Sequence, residues 1–584
     1  MSLKNYLLVL MVCYTSFVNA QQPTTFDILW GVKVPLRDGV NLNATVYKPD
    51  NQINALPLIV DITPYISDDY HIRGKYFSQQ GYIYAVIDCR GRGSSEGIFD
   101  PLAQEAKDGY DVVEWFAKQP YCNGKISMWG GSYSGYNQWA TAKEFPPHLN
   151  TIVPAASVHP GIDYPNPGNI FMSYTMSWLT FTSGKTGNTN IFGEGAFWET
   201  KYAEMYKNHL PFSQLDKIVG NETTVFQKWI SHPSYDDFWQ NMNPTQADYR
   251  KMNIPILTIT GHYDADQLGA MTFYKDFMKF ASAEAKKNKY LILGPWDHSG
   301  TRTPHADVGG LLFDKASLLD LNQLHKEWYD YTMKGGELPT FLKKHIAYYV
   351  VGDEKWKYAD NLESIASELR TYYLSSNGVA TAFQSGQLTM TIPKTDKESI
   401  IKYDPLNTTR GLIAKNEYNE VAYLKNHVEV ISAGDEALVY HTSIFQDSTE
   451  VSGFPSATLF ISSNTPDADI KGSLYEITAK GESILLSDQR LRLRYRESLE
   501  TEKLMQPNQI CKVSLDKFTF FSKRIPAGSR LRFVVSVINS INWQKNYGSG
   551  GVVANETAKD ARTATIKLDM GKKTPSMVLI PCVK

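Results

Sequence analysis

The stretch Lys125-Ile-Ser-Met-Trp-Gly-Gly-Ser-Tyr-Ser-Gly135 constrains this chain more than any other. A β-prone run, Lys125 to Trp129, meets two glycines, then Ser132, then a helix-compatible run from Tyr136 to Phe145. A strand, a sharp turn and a helix in that order hold one side chain in strained backbone geometry at the end of a parallel strand. The glycines let the turn close without clashes. Ser132 is the residue left exposed there, and it reads as a nucleophile. A serine hydroxyl needs a base to take its proton, an acid to orient that base, and donors for the negative charge that develops.

The surroundings of the stretch fit a parallel sheet. Apolar runs at Leu56 to Ile62 and Tyr82 to Asp88 precede it, and Asp108 to Lys118 has helical periodicity. Strands alternating with helices imply helices on both faces of one sheet. Upstream, residues 24–49 alternate about Arg37-Asp38-Gly39, a hairpin signal. After Pro154 the pattern breaks, and residues 158–248 are rich in Trp, Phe, Tyr, Met and Asn, which reads as a mostly helical insertion. Strands resume at Ile254–Thr260 and Lys289–Leu293 with a helix, Met271 to Ala285, between them. A last helix, Leu318 to Met333, ends at Gly335-Gly336. From 344 onward, beginning with His345–Val351, short alternating segments bounded by turn residues predict an antiparallel β-sandwich or jelly roll. At 584 residues the chain exceeds a single core. The expected divisions are 1–20, 21–157, 158–248, 249–343 and 344–584.

The first division reads as an export signal: Lys4, the apolar run Tyr6 to Val12, and the small-residue site Val18-Asn-Ala20. The expectation is a periplasmic or secreted protein starting near Gln21, with no run long enough to span a bilayer. A formal net charge of -2 gives no case for nucleic acid. Cys89, Cys122, Cys511 and Cys582 show no CxxC pattern, and sequence alone does not pair them.

The missing partners of Ser132 follow in chain order. Strand Ile254–Thr260 leads into Gly261-His-Tyr-Asp264, and strand Lys289–Leu293 into Gly294-Pro-Trp-Asp-His298. An acid and then a base, each on a loop after a strand, is the order an α/β-hydrolase uses. Asp264 and His298 are the candidates, with Asp266 as a rival acid. A strict G-x-S-x-G would place glycine at 134, where this chain has Ser134 and then Gly135. No His, Cys and carboxylate set has metal spacing, so neither metal nor cofactor is expected.

Gly130-x-Ser132-Tyr133-x-Gly135, Tyr263-Asp264 and Gly294-Pro-Trp-x-His298-Ser299 resemble the group of cocaine esterase, α-amino-acid ester hydrolase, glutaryl acylase and X-Pro dipeptidyl-peptidase. Arg37-Asp-Gly-Val40, Thr63-Pro-Tyr65, Arg90-Gly-Arg-Gly-Ser-Ser-Glu-Gly97, His232-Pro-Ser-Tyr-Asp-Asp-Phe-Trp239, Trp328-Tyr-Asp-Tyr331 and Leu491-Arg-Leu-Arg-Tyr-Arg496 extend the resemblance along the mature chain. It implies an α/β-hydrolase core, a helical cap and a C-terminal all-β jelly-roll domain. It also implies Ser132 as nucleophile, His298 as base, Asp264 as orienting acid, and an oxyanion site formed by the Tyr133 backbone N–H and the Tyr65 hydroxyl.

Pocket walls are expected from the insertion, with Trp178 and Phe181 among the candidates and helix packing as the alternative duty for each. Family members that bind an α-amino group place carboxylates near the triad, and one such position is Asp266. The neutral Gln267 follows it, and uncharged residues near Gly168-Asn169 replace an acidic pair. Three readings result. The first is an exported serine hydrolase acting on an ester or amide of a small molecule or short peptide. The second is an aminopeptidase releasing X-Pro dipeptides. The third is a binding protein for glycan or a partner on a catalytically dead scaffold. A homo-oligomer stays open.

Overall fold

The computed structural model describes residues 25–50, 52–394, 396–412, 422–425 and 428–584. The expected export signal lies outside these residues.

A ten-stranded sheet holds the first half of the chain together. Its strands are β1 (Phe26–Pro35), β2 (Asn41–Pro49), β3 (Leu56–Thr63), β4 (Ile83–Asp88), β5 (Cys122–Gly131), β6 (Leu149–Ala155), β7 (Ile256–Tyr263), β8 (Lys289–Asp297), β9 (Ile346–Val350) and β10 (Lys355–Ala359). The spatial order is β1-β2-β4-β3-β5-β6-β7-β8-β9-β10. β4 through β9 run parallel, and antiparallel strands finish both edges. All six residues of β4 are buried, as a central parallel strand covered on both faces requires. Helices α1 (His71–Gln79), α2 (Glu105–Ala117) and α3 (Tyr133–Ala142) connect the first strands.

The expectation that His345–Val351 opens the all-β domain needs correction. Ile346–Val350 pairs in parallel with β8, Ile346 opposite Leu291, so it extends the ten-stranded sheet rather than opening the all-β assembly. The preceding helix, Leu321–Lys334, is the crossover that a parallel return needs. A short buried run carries no signal for which of two sheets it joins.

Between β6 and β7 the chain forms short helices, among them α4 (Tyr174–Phe181), Gly195–Lys207 and Thr224–Ile230. Their apolar faces join the core of the sheet: Trp178, Trp229 and Trp239 share one cluster with Val60, Met128 and Trp139. After β10 the chain is mainly β, in a large assembly of mostly antiparallel strands running from Glu368–Ser375 to Met577–Val583 with its own core. Cys89, Cys122, Cys511 and Cys582 are all free thiols. Among the described residues no helix is long and apolar enough to cross a membrane.

Hydrogen bonds from Ser173 and Gln267 are among those that tie the all-β part to the first half of the chain. The Ser173 N–H donates to the Asn542 carbonyl at 2.8 Å, and the Ser173 hydroxyl donates to the Ile541 carbonyl at 2.8 Å. The buried Gln267 amide donates to the Phe520 carbonyl at 2.9 Å and accepts from the Phe520 N–H at 2.6 Å.

Candidate active site

Ser132, Asp264 and His298 each occupy the first position after the C-terminal end of a strand, β5, β7 and β8 respectively. Those ends open on one side of a parallel sheet, so three residues far apart in sequence meet there. Ser132 has φ 61° and ψ -124°, a sparsely populated conformation for a residue with a side chain. Its N–H donates to the Ala155 carbonyl of β6 at 3.0 Å, which pins the turn.

The placement of glycine in this turn has a steric cause. A Cβ on Gly130, which has φ +143°, would lie 2.4 Å from the Ser134 Cβ. A Cβ on Gly135 would lie 2.6 Å from the Ala155 carbonyl oxygen. Ser134 is accommodated because Gly130 makes room for it, and its hydroxyl donates to the Ile62 carbonyl at 2.9 Å. The close approach of α3 to β6 falls at 135, and the second glycine is there.

Asp264 is buried, and its oxygens are fully engaged. The Thr260 hydroxyl donates to Oδ2 at 2.8 Å, and the Asp266 N–H donates to Oδ1 at 3.0 Å. His298 Nδ1 stands 2.9 Å from Asp264 Oδ1 and 3.5 Å from Asp266 Oδ2. Burial alone would raise the Asp264 pKa, but the hydrogen bond and charge of His298 reverse this and hold it below the ordinary carboxylate range. An ionised Asp264 makes Nδ1–H the donor and leaves Nε2 free to take a proton. Burial disfavours the charged form of His298, while Asp266 and then Asp264 outweigh that effect and raise its pKa above the ordinary value. Asp266 itself is raised well above a normal carboxylate by burial and by Asp163 and Asp264 nearby.

Asp264, Asp266 and His298 bring one oxygen or nitrogen each within 4.8 Å of one another, a proximity the sequence spacing does not announce. The hydrogen bonds above already occupy both Asp264 oxygens and Nδ1, so the set is a hydrogen-bonded relay rather than a set of metal ligands.

Tyr65 follows β3 by two residues. The Trp178 Nε1–H donates to its hydroxyl at 3.1 Å, and its ring stacks on Phe181 with centroids 5.4 Å apart. Its ring and the Ser132 side chain line the same cavity. Burial raises the Tyr65 pKa, so it stays a neutral donor. The Tyr133 N–H heads α3 and has no intrahelical acceptor. The Tyr133 hydroxyl donates instead to the buried Glu105.

These groups open into a cavity of about 1320 Å³. Trp178 and Asp266 line it, together with Tyr65, Ser132, Tyr133 and His298. Phe181 does not, which corrects its expected place in the pocket wall. It lies one layer back, sandwiched between Tyr65 and Phe192. Two contributions escaped sequence reasoning. Asp163 lines the cavity as a buried carboxylate accepting from the His159 N–H at 2.7 Å and the Gly269 N–H at 2.8 Å. The all-β domain supplies the far wall through Asp488–Leu491, Tyr495–Glu500 and Asn542–Trp543. A lone aspartate carries no local pattern, and Leu491–Arg496, though part of the family resemblance, carries no signal that it faces a cavity.

Known proteins resemble this chain over most of its length. Residues 38–300 match the family described as X-Pro dipeptidyl-peptidase (S15 family). Residues 339–578 match the X-Pro dipeptidyl-peptidase C-terminal non-catalytic domain. Cocaine esterase from Rhodococcus sp. (strain MB1 Bresler) is 26% identical over 580 residues, covering 96% of this chain and 99% of that protein. Two solved structures share the fold: an aminopeptidase from a marine sediment Thaumarchaeota archaeon and an α-amino acid ester hydrolase. The first has a TM-score of 0.80 at 20% identity, covering 99% of each chain. The second has a TM-score of 0.82 at 19% identity, covering 98% of this chain and 100% of the other.

Proposed function

We propose, from the premise that this chain belongs to the serine hydrolases of the X-Pro dipeptidyl-peptidase (S15) family, that it cleaves a carboxylic ester or amide through an acyl-enzyme on Ser132. The observation that carries the reading is the 2.9 Å contact between His298 and the buried Asp264, in one cavity with a strained Ser132. Ser132 Oγ attacks the substrate carbonyl while His298 Nε2 takes its proton. Asp264 keeps the imidazole in the Nδ1–H tautomer and stabilises the imidazolium. The Tyr65 hydroxyl and the Tyr133 N–H donate to the carbonyl oxygen as it becomes negative. One such donor is typically worth about 10²–10³ in rate. The imidazolium returns its proton to the departing alcohol or amine. A water then repeats the attack on the acyl-enzyme, with His298 again as base, and releases the acid and Ser132.

Incubation of the full chain with a fluorophosphonate tests this. Wild type should be labelled at one serine, and Ser132→Ala should not. Equal labelling of the two would remove Ser132 from the mechanism.

A second reading concerns the substrate. Asp266, 3.5 Å from His298, and Asp163 put two acidic side chains in the cavity; burial disfavours their charged forms, and an ammonium bound between them would restore those charges, which favours a substrate with a free amine, such as an α-amino ester or an X-Pro peptide. Trp178 would face its apolar part. An X-Pro anilide should react much faster than its N-acetylated form; equal rates would discard the amine requirement. The Lys4 to Ala20 pattern supports export, to the periplasm or medium.

A further inference from the structure

Arg302 has no part in the mechanism above, yet it sits at its centre. It lies on the turn that begins with His298. Its N–H donates to the Ser299 carbonyl at 3.1 Å, and the Thr301 hydroxyl donates to the His298 carbonyl at 2.8 Å. The side chain runs back across the strand ends to the residue before the nucleophile: a Cβ on Gly131 would lie 2.6 Å from both Arg302 Cδ and Nη1. The base and the elbow are thus bridged by one side chain, and the absence of a side chain at 131 makes room for it.

The guanidinium is half-buried, and among the described residues it forms no ion pair. Its side-chain hydrogen bond is Nη1 donating to the Thr301 hydroxyl at 3.3 Å. It does not line the cavity, so it is no ligand for substrate. An arginine held in partial burial without a carboxylate partner exerts its charge on whatever surrounds it. The titratable groups within its field come from every neighbouring element. They are Asp61 of β3, Tyr65 and Tyr70 after it, Arg73 of α1, Asp266 after β7, and His298 on its own turn. His298 is faced in addition by Asp264, and Asp266 by Asp163.

We propose that Arg302 is a positioning residue for the hydrolytic reaction, an uncompensated cation lying along the elbow backbone that offsets the carboxylates around His298 and favours negative charge at the oxyanion site. Without it, Asp264 and Asp266 would hold a proton on the imidazole and leave less of the base free. With it, His298 is available at lower pH, and the Tyr65 phenol polarises more readily toward a developing anion. The proposal rests on the serine-hydrolase reading above.

The test is the pH dependence of the fluorophosphonate labelling rate for the full-length wild type, Arg302→Lys and Arg302→Gln, with Ser132→Ala as the control. A rate that follows the free base has an acid limb. For Arg302→Gln that limb should move to higher pH by about 0.3–1 unit, the span for removing one nearby charge between aqueous and protein-like dielectric. Arg302→Lys, which keeps the charge, should leave it at the wild-type position. A uniform drop in rate for Arg302→Gln with the limb unmoved would reduce Arg302 to packing and overturn the proposal. So would a Lys variant shifted like the Gln variant. Should Arg302→Gln fail to fold, Arg302→Met takes its place: a limb displaced to higher pH while Arg302→Lys stays at the wild-type position supports the proposal, and an unmoved limb overturns it. Labelling of Ser132→Ala would instead sink the nucleophile assignment, an outcome separate from both.

Discussion

At the residue scale, Asp61 is a buried carboxylate with one oxygen unanswered. It is fully buried beneath the elbow. The Tyr84 hydroxyl donates to its Oδ2 at 3.0 Å, while Oδ1 has no hydrogen-bond partner. Burial pushes its pKa up to about 7. The folded state therefore binds a proton more tightly than the unfolded chain. Its contribution to stability is full below the unfolded value near 4 and is lost as pH rises through about 7. Asp61→Asn removes that term. Urea unfolding at pH 4, 5.5 and 8 should find the variant gaining on wild type as pH rises, and parallel profiles would contradict the assignment. The same scale shows what a sequence can disclose. Ser132, Asp264 and His298 were legible because each follows a strand, in the order the chemistry needs. Asp163 and Arg302 were not, since their meaning comes from contacts made across the sheet.

The element that governs the site is α3 with the turn before it. Its closest approach to β6 is at Gly135, where backbone rather than a mobile side chain blocks any Cβ. Gly135→Ala must push the helix away from the sheet, at about 1–3 kcal/mol for overpacking. The expected result is a lower denaturation midpoint together with slower fluorophosphonate labelling, because the same helix carries the Tyr133 N–H. An unchanged midpoint would show that helix and sheet part easily. At this scale the strands were well marked by their apolar runs and turn residues, and β3, β4, β7 and β8 fall close to where periodicity put them. Two features lay beyond periodicity. The membership of Ile346–Val350 was one, because short buried runs look alike in either sheet. The place of Phe181 was the other, because an aromatic on a cap helix looks the same whether it faces ligand or a neighbouring ring.

For the whole molecule, the determining arrangement is that two independently cored parts enclose a single cavity. Division into catalytic, helical and all-β stretches was visible as changes of composition, but their convergence on one space was not, since enclosure is a property of tertiary docking. Gln267 is the hinge of that docking. It begins the helix Gln267–Phe280 directly after the loop of Asp264 and Asp266, and it clamps both backbone groups of Phe520. Gln267→Ala leaves those buried groups unpaired, at about 1–3 kcal/mol. Thermal unfolding should drop accordingly and turnover should fall with it; a variant that loses stability while keeping full activity would uncouple the clamp from the site. A ligand that fills the cavity touches both parts at once. Occupancy and domain closure are then linked equilibria, and each must favour the other by the same free energy. Saturation with an unreactive substrate analogue should therefore slow proteolytic cutting between the catalytic and all-β parts, so that protease resistance becomes a binding assay for a substrate whose turnover is not yet known.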